Sequence, residues 1–429
     1  MTSLATPGSR LLLLASKLGY QTRSFAEAAK RLGVEVVIGS DRCHQLDDPW
    51  SDGAIALHFE EPEQAAARLA EALRDRSVRA ILALGDRQTV TAAYAARRLG
   101  LRYNSPESVE NCRSKLRQRE VLRAASLPVP DFFSFSLAEP LAAILPRVHF
   151  PCVVKPLRLA ASQGVIRAND AAEFRAAVDR IGRLLASPEL QVTRERELDR
   201  LLVEDFIPGS EVALEALIER GRLRVLALFD KPDPLDGPYF EESIYVTPSR
   251  LAVDIQKAIF DCADRVAGAL GLSEGPVHAE FRVNAAGPWV LEMSPRPIGG
   301  LCSRALRFGP ERILLEDLLV RHAMDLPGAD LVRESLSAGV MMIPVPASGI
   351  LEGVEGVERA AAVPGVDEVQ ITARLHDFIA AWPEGSTYLG FIFARAETSA
   401  ETEALLRRAH RELRFTITPR LEVAHPAAR

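Results

Sequence analysis

The sequence predicts an α/β (α+β) chain with a parallel-sheet domain at its N-terminus and a small α+β subdomain at its C-terminus. Three observations carry this. Residues 10 to about 105 alternate apolar strand-like runs with helical runs that end at glycine. Residues 201 to 229 and 278 to 294 contain strand-like runs joined by short turns, with a long loop and a helix between the two stretches. From about Ser337 a strand–helix–strand pattern starts again. The 429 residues, 48% hydrophobic and 26% charged, suffice for two to four domains or subdomains.

In the first region, Leu11 to Ala15 reads as a buried strand; it is too short for the core of a signal peptide. Arg23 to Leu32 reads as a helix ending at Gly33, and Val34 to Ile38 and Ala54 to His58 as strands. Glu63 to Arg74 is a helix, Arg79 to Leu84 a strand, and Gln88 to Leu99 a helix ended by Gly100. This βαβα order implies an open parallel sheet. The region lacks GxGxxG, so a dinucleotide site is not supported. Ser16-Lys17 and Gly85-Asp86-Arg87 follow strand ends, where ligands bind in such sheets, although ordinary loop polarity is the simpler account of both.

Asn104-Ser-Pro-Glu107 is a capped helix start, and the helix runs from about Ser108 to Ala125 with Lys115 on it. Leu127-Pro-Val-Pro130 leads into strand, helix, strand, loop, helix and strand over residues 131 to 230. Phe150 to Lys155 enters a loop, Pro156 to Gly164, and Leu201 to Phe206 is a strand broken by Pro208-Gly209. Glu211 to Ile218 and Leu223 to Phe229 form a hairpin about Arg220-Gly221. Residues 231 to 250 read as one long loop, a length that points to function. Helices follow at Asp254 to Leu270 and about Glu311 to His322. In the last region Gly339 to Val345, Val366 to Ile371 and Tyr388 to Ala394 are strands, and Val357 to Ala362 and Glu401 to Leu413 are helices.

Net charge is −6 and the pI about 5.9, so no basic footprint points to nucleic acid or an anionic membrane. No apolar run is long enough to span a bilayer. Five scattered cysteines, Cys43, Cys112, Cys152, Cys262 and Cys302, form no CxxC pair. That fits a reducing cytoplasm and argues against a zinc site or a disulfide framework. Only six of 52 basic residues are lysine: Lys17, Lys30, Lys115, Lys155, Lys231 and Lys257. Where arginine is the default cation, a retained lysine suits a place that needs a compact charge, such as a phosphate site.

The most informative segment is His278 to Arg296. Glu280 and Glu292 each lie in a strand-like run, and Asn284 to Pro288 supplies the turn. A hairpin centred on residue 286 sets the two carboxylates opposite each other, on one face with Arg282, Val290 and Ser294. Like charges facing each other across a ladder repel. A hard divalent ion between them would relieve this; a solvated hairpin with acidic tips is the alternative.

Three further segments accompany the hairpin. Cys152-Val-Val-Lys155-Pro ends a buried strand with a lysine, and Ala160-Ala-Ser-Gln-Gly-Val165 offers small residues whose N–H groups can cradle phosphate oxygens. Leu202-Val-Glu204-Asp-Phe-Ile-Pro-Gly-Ser-Glu211 is a strand running into a turn between two glutamates. In this order and spacing, with Lys115 before them and Glu292-x-Ser-Pro-Arg296 after, the segments resemble the ATP-grasp superfamily. The chain is most similar to the carboxylate–amine ligase branch that includes L-amino acid ligases and dipeptide synthases. Asp230-Lys-Pro-Asp-Pro-Leu-Asp-Gly-Pro-Tyr-Phe-Glu-Glu, Ile298-Gly-Gly-Leu-Cys-Ser-Arg304 and Gly339-Val-Met-Met-Ile-Pro support that branch.

The resemblance implies a pre-ATP-grasp domain over 1–107 and a linker helix with the lid lobe over 108–205. A metal-binding lobe over 206–332 completes a two-lobed ATP-grasp domain, with the C-terminal subdomain at 333–429. It implies ATP and Mg²⁺, or Mn²⁺, as cofactors, and an amide bond formed through an acyl phosphate. Lys115 and Lys155 would contact phosphates, with Ser162, Gln163 and Gly164 closing over them. Glu204, Phe206 and Ile207 would hold adenine and Glu211 the ribose. Glu280 and Glu292 would bind metal, with Ser294 standing where the family usually has asparagine. Arg296, with Lys155, would serve the phosphoryl transfer, while Glu242, Glu241, Tyr245, Gly299 and Gly300 would meet substrate. Partners would be small-molecule carboxylates and amines, with no nucleic acid and no membrane; a homodimer is compatible with the chain. Two alternatives stay open: another ATP-grasp chemistry, such as carboxylation or a purine-pathway ligation, and a non-catalytic ATP-binding regulator.

Overall fold

A computed structural model describes residues 8–16, 20–41, 54–327 and 330–419; Lys17 and Cys43 lie outside them. The first sheet is parallel, in the order Ile55–Ala56, Glu35–Ser40, Arg10–Leu14, Ala80–Ala83. Leu11 and Leu13 share one core with Phe25 and Ala28, and Leu12 and Leu14 share another with Ala66 and Leu69. A strand apolar at every position is what a parallel sheet covered on both faces demands. Helix Asp86–Leu99 ends at Gly100, whose φ of 66° is the left-handed conformation that glycine takes most readily.

The single helix expected over 108–125 is in fact two, Pro106–Arg113 and Lys115–Ala124. Ser114 between them is extended, with φ −106° and ψ 119°. The Lys115 N–H leaves the helical ladder and donates to the Leu157 carbonyl at 2.9 Å. Apolar periodicity does not register a break one residue long.

A four-stranded antiparallel sheet follows, in the order Phe132–Ser136, Arg200–Asp205, Cys152–Pro156, Ile166–Ala168. Helix Ala171–Leu185 covers it; Asp170 caps the helix by accepting from the Ala172 and Glu173 N–H groups. Its stripe of Phe174, Ala177, Val178, Ile181 and Leu185 completes a core with Val154, Ile166 and Leu201. Burial of each large side chain in such a stripe contributes about 1.5–3 kcal/mol of transfer free energy.

The third unit differs from expectation. One eight-stranded sheet runs Gly287–Ser294, Gly275–Asn284, Ser210–Glu219, Arg222–Asp230, Ile244–Thr247, Ser337–Ile343, Gly390–Ala396, Val366–Ile371. The C-terminal strands therefore extend the sheet that carries the glutamate hairpin, and residue 333 marks no break in it. The joining strand, Ile244–Thr247, lies inside the segment expected to be loop. Its β-branched and aromatic residues are ordinary strand formers, hidden in the sequence by the prolines and glycines on either side. A smaller sheet of Phe378–Ile379, Gly349–Glu355 and Arg414–Thr418 lies beside it. The helix expected over 311–322 begins later, at Leu315, because Ile313–Leu314 pairs with Arg307–Phe308.

Candidate active site

Strands Gly275–Asn284 and Gly287–Ser294 form the expected hairpin, with Glu280 directly opposite Glu292. Asn284 fixes the turn by accepting from the Ala286 N–H at 2.9 Å and the Trp289 indole at 3.2 Å. One detail corrects the alternation. A bulge at Leu291 shifts the register, so Phe281 pairs with Val290. Val290 therefore turns into the core beside Phe281, and Leu291 faces the cleft with Glu280 and Arg282. A bulge inserts one residue and flips the faces beyond it.

This hairpin floors an open cleft, about 930 Å³ when space continuous with solvent is included, roofed by the antiparallel sheet and the loop after Lys155. Twelve of the residues selected from sequence line it: Lys115, Lys155, Ser162, Glu204, Phe206, Ile207, Glu211, Glu242, Glu280, Glu292, Ser294 and Arg296. Gln163, Gly164, Tyr245, Gly299 and Gly300 do not line it. Gln163 and Gly164 bond to Glu384 and Pro383 instead. The Tyr245 hydroxyl is buried on Glu242 at 2.7 Å, and Gly300 packs near the Phe391 ring. Glu241 points elsewhere and accepts from the Val345 N–H at 3.3 Å.

Lys155 sits in a buried ion network. Its ammonium donates to Glu204 at 2.6 Å, and Arg119 grips the same carboxylate at 2.7 and 3.3 Å. Arg119 also donates to the Val290 and Leu291 carbonyls at 3.2 and 3.0 Å, which anchors the bulge. Burial works against ionisation of Glu204, but Arg119 and Lys155 hold it down to about 2. Burial also lowers Lys155, and Glu204, which it shares with Arg119, offsets this only in part. Arg119 was missed in the sequence because one arginine on a helix looks like any other in so arginine-rich a chain.

A second network lies under the acidic side. Oxygens of Glu211, Glu242 and Glu280, from three separate segments, lie within 4.8 Å of one another. The buried Lys231 ammonium stands among them, bonded to Glu211 at 2.7 Å and to Glu242, and 3.5 Å from Glu280. Burial and the Glu280 charge push Glu242 up to about 7 despite Lys231. Arg282 holds the other Glu211 oxygen at 3.1 Å and the Ile207 carbonyl at 2.9 Å. His278, on the face of Glu280, bonds to buried Glu215; burial opposes its charge, yet Glu215 and Glu280 lift it to about 9. Alternation had placed Arg282 on the glutamate face and Lys231 lay in a segment supporting the branch, but nothing in the sequence showed that Lys231 and Arg282 hold Glu211 or that His278 meets Glu215.

The remaining cations approach from elsewhere. Lys115 lies 3.4 Å from Glu292 and donates to the Leu159 carbonyl at 2.5 Å. Arg296 makes a two-pronged contact with Asp86, at 2.7 and 3.2 Å. Asp86 belongs to the N-terminal domain, so the segment set down as loop polarity contacts a cleft residue without lining the cleft itself. Burial would raise Asp86, but Arg296 outweighs it and keeps the carboxylate well below the usual range. The cleft thus brings the cations Lys115, Lys155 and Arg296 together with the acidic Glu280 and Glu292. Such a surface can hold a polyphosphate and a divalent ion side by side.

Comparisons with known proteins agree with this geometry. Residues 148–305 match the ATP-grasp domain, 26–101 the ATP-grasp N-terminal domain, and 341–418 the L-amino acid ligase C-terminal domain 2. The structure resembles that of an L-amino acid ligase from Bacillus licheniformis, with 26% identity and a TM-score of 0.82, covering 96% of this chain and 100% of that one. Alanine–anticapsin ligase of Bacillus amyloliquefaciens is 25% identical over 338 residues, 73% of this chain and 70% of that protein. Carnosine synthase 1 of Gallus gallus is 27% identical over 383 residues, 83% of this chain but 40% of that longer protein. Cleft, sheet order and the three domain matches agree: the chain belongs to the ATP-grasp superfamily and carries a C-terminal domain of the L-amino acid ligase type.

Proposed function

We propose that this protein activates a carboxylate with ATP and joins it to an amine, with amino-acid-like molecules on both sides of the new bond. The observation that carries the reading is that Lys115, Lys155 and Arg296 line one cleft together with the Glu280–Glu292 pair. Lys115 and Lys155 would bind phosphate oxygens, and Ser162 would cover them. Glu204 has its carboxylate taken up by Arg119 and Lys155, so its part is to hold Lys155 in place. The Phe206 N–H and Ile207 carbonyl are engaged with Pro151 and Arg282, which leaves the Phe206 carbonyl and Ile207 N–H for adenine. Glu211 would meet the ribose beside Arg282.

Glu280 and Glu292 are hard oxygen donors placed opposite each other, and each is neutralised here by a lysine ammonium, at 3.5 and 3.4 Å. With the Ser294 hydroxyl 3.4 Å from Glu292, the set fits Mg²⁺ or Mn²⁺. A divalent ion held there would neutralise phosphate charge. A substrate carboxylate oxygen would attack the γ-phosphorus, giving an acyl phosphate and ADP. Lys155 and Arg296 orient the phosphoryl group and offset its charge. The amine nitrogen then attacks the acyl carbon and phosphate departs. Glu242, at the acidic end, would grip the ammonium group before it gives up its proton.

Phosphate release measured with ATP and Mg²⁺ across a panel of amino acids and small carboxylates, with product masses, tests this. The expected result is release that requires both an acid and an amine, with an amide of matching mass. Release with bicarbonate alone would favour carboxylation, and ATP binding without turnover on any pair would favour a regulator.

A further inference from the structure

The small-residue loop beside Lys155 is not a free flap. The Trp382 indole N–H donates to the Ala161 carbonyl at 3.1 Å. The Gly164 N–H donates to the Pro383 carbonyl at 2.9 Å, and the Gln163 amide to the Glu384 carbonyl at 2.7 Å. The Glu384 carboxylate in turn takes both arms of Arg180, at 2.5 and 2.8 Å. Arg180 comes from helix Ala171–Leu185, on the roof of the cleft, and also donates to the Tyr239 hydroxyl. Tyr239 lies in the segment that carries Glu242, and it bridges to Ile166 of the roof sheet. Four parts of the chain therefore meet at Arg180 and Trp382–Glu384.

The loop itself is held in an unusual shape. Ala161 and Ser162 have φ of 56° and 53°, the left-handed region that residues with a side chain occupy only when their surroundings fix it. The Trp382 bond falls on the first of the two. Gly164, at φ 71°, is pressed against Pro156 and Leu184, where an added Cβ would come within 3.0 and 3.2 Å. A loop poor in glycine gains its close approach to the cleft from outside anchors.

We propose that Trp382, Pro383 and Glu384, together with Arg180, are positioning residues that clasp this loop over the cleft and keep water from the acyl phosphate. None of the four lines the cleft. This role rests on the ligase reading above. With the clasp loosened, a water oxygen attacks the acyl carbon and the carbon–oxygen bond to phosphate breaks. The products are the free carboxylate and dihydrogen phosphate, and no amide forms. The signature is therefore the ratio of phosphate to amide, which a loss of folded enzyme does not change.

The test uses the full chain and the variants Arg180→Met, Glu384→Gln, their double, and Trp382→Phe, which removes one N–H and keeps an aromatic ring. Wild type should give a phosphate-to-amide ratio of about one, and Arg180→Met and Trp382→Phe a ratio at least about threefold higher. The double variant should be no worse than Arg180→Met, since the two side chains share one contact. A ratio of one in every variant, whatever the loss in rate, would overturn the clasp. Hydrogen exchange at Gly164 gives a second reading that needs no amide, with about tenfold faster exchange expected in Trp382→Phe. Unchanged exchange there would also overturn it. Faster exchange, with no amide made by wild type on any pair, would uphold the clasp and refute only the ligase reading.

Discussion

Glu292→Gln should lower ATP turnover by on the order of 10²–10³-fold while the melting temperature stays within about 2 °C of wild type. Glutamine keeps the shape of the side chain and removes the charge that faces Glu280 across the hairpin. The Lys115–Glu292 contact at 3.4 Å is partly exposed, so its loss changes stability little. Lys155→Ala should lower turnover as far for a different reason, although taking one of its two buried partners from Glu204 lowers the melting temperature further than Glu292→Gln does. The substitution removes a buried ammonium beside the loop yet leaves Glu204 paired with Arg119 at 2.7 Å. ADP release at the wild-type rate from either variant would contradict the roles given to these residues.

The second large effect falls on stability. Arg119→Met should reduce the free energy of unfolding by about 3–5 kcal/mol, read from urea unfolding curves. The guanidinium is 1% exposed and holds both Glu204 oxygens and two carbonyls at the bulge. Without it Glu204 retains only Lys155, and the Val290 and Leu291 carbonyls lose a buried donor. Arg119→Met with Glu204→Gln should recover part of the loss, because the double variant no longer buries an under-compensated carboxylate. A single-variant change below about 1 kcal/mol would show that the network contributes little.

How far the sequence reveals this site depends on the range of the interactions involved. The hairpin was legible because alternation and a turn at residue 286 act locally, and Glu280 does face Glu292. Val290 was misplaced because a bulge leaves no mark in an alternating run. The order of Lys115, Lys155, Glu204, Glu211, Glu292 and Arg296 indicated one cleft, and all six line it. The partners that set their charge states were not legible. Arg119, Lys231 and Asp86 act across 85, 20 and 210 residues of chain, and nothing local separates them from solvated neighbours. The family resemblance implied that Gln163 and Gly164 close over the phosphates. Their hydrogen bonds to residues 383 and 384 are long-range facts that only the fold supplies. The C-terminal subdomain was legible from its restarted strand–helix pattern, and residues 341–418 match a C-terminal domain; that its strands continue the main sheet was not legible, because the joining strand Ile244–Thr247 is short and set among prolines.

The central claim is that a substrate carboxylate is phosphorylated before the amine attacks. Its most direct test is to supply the acid with ¹⁸O in its carboxylate and weigh the phosphate released during amide formation. The account predicts one labelled oxygen in each phosphate, because the attacking carboxylate oxygen leaves with the phosphoryl group. Unlabelled phosphate accompanying labelled amide would contradict it.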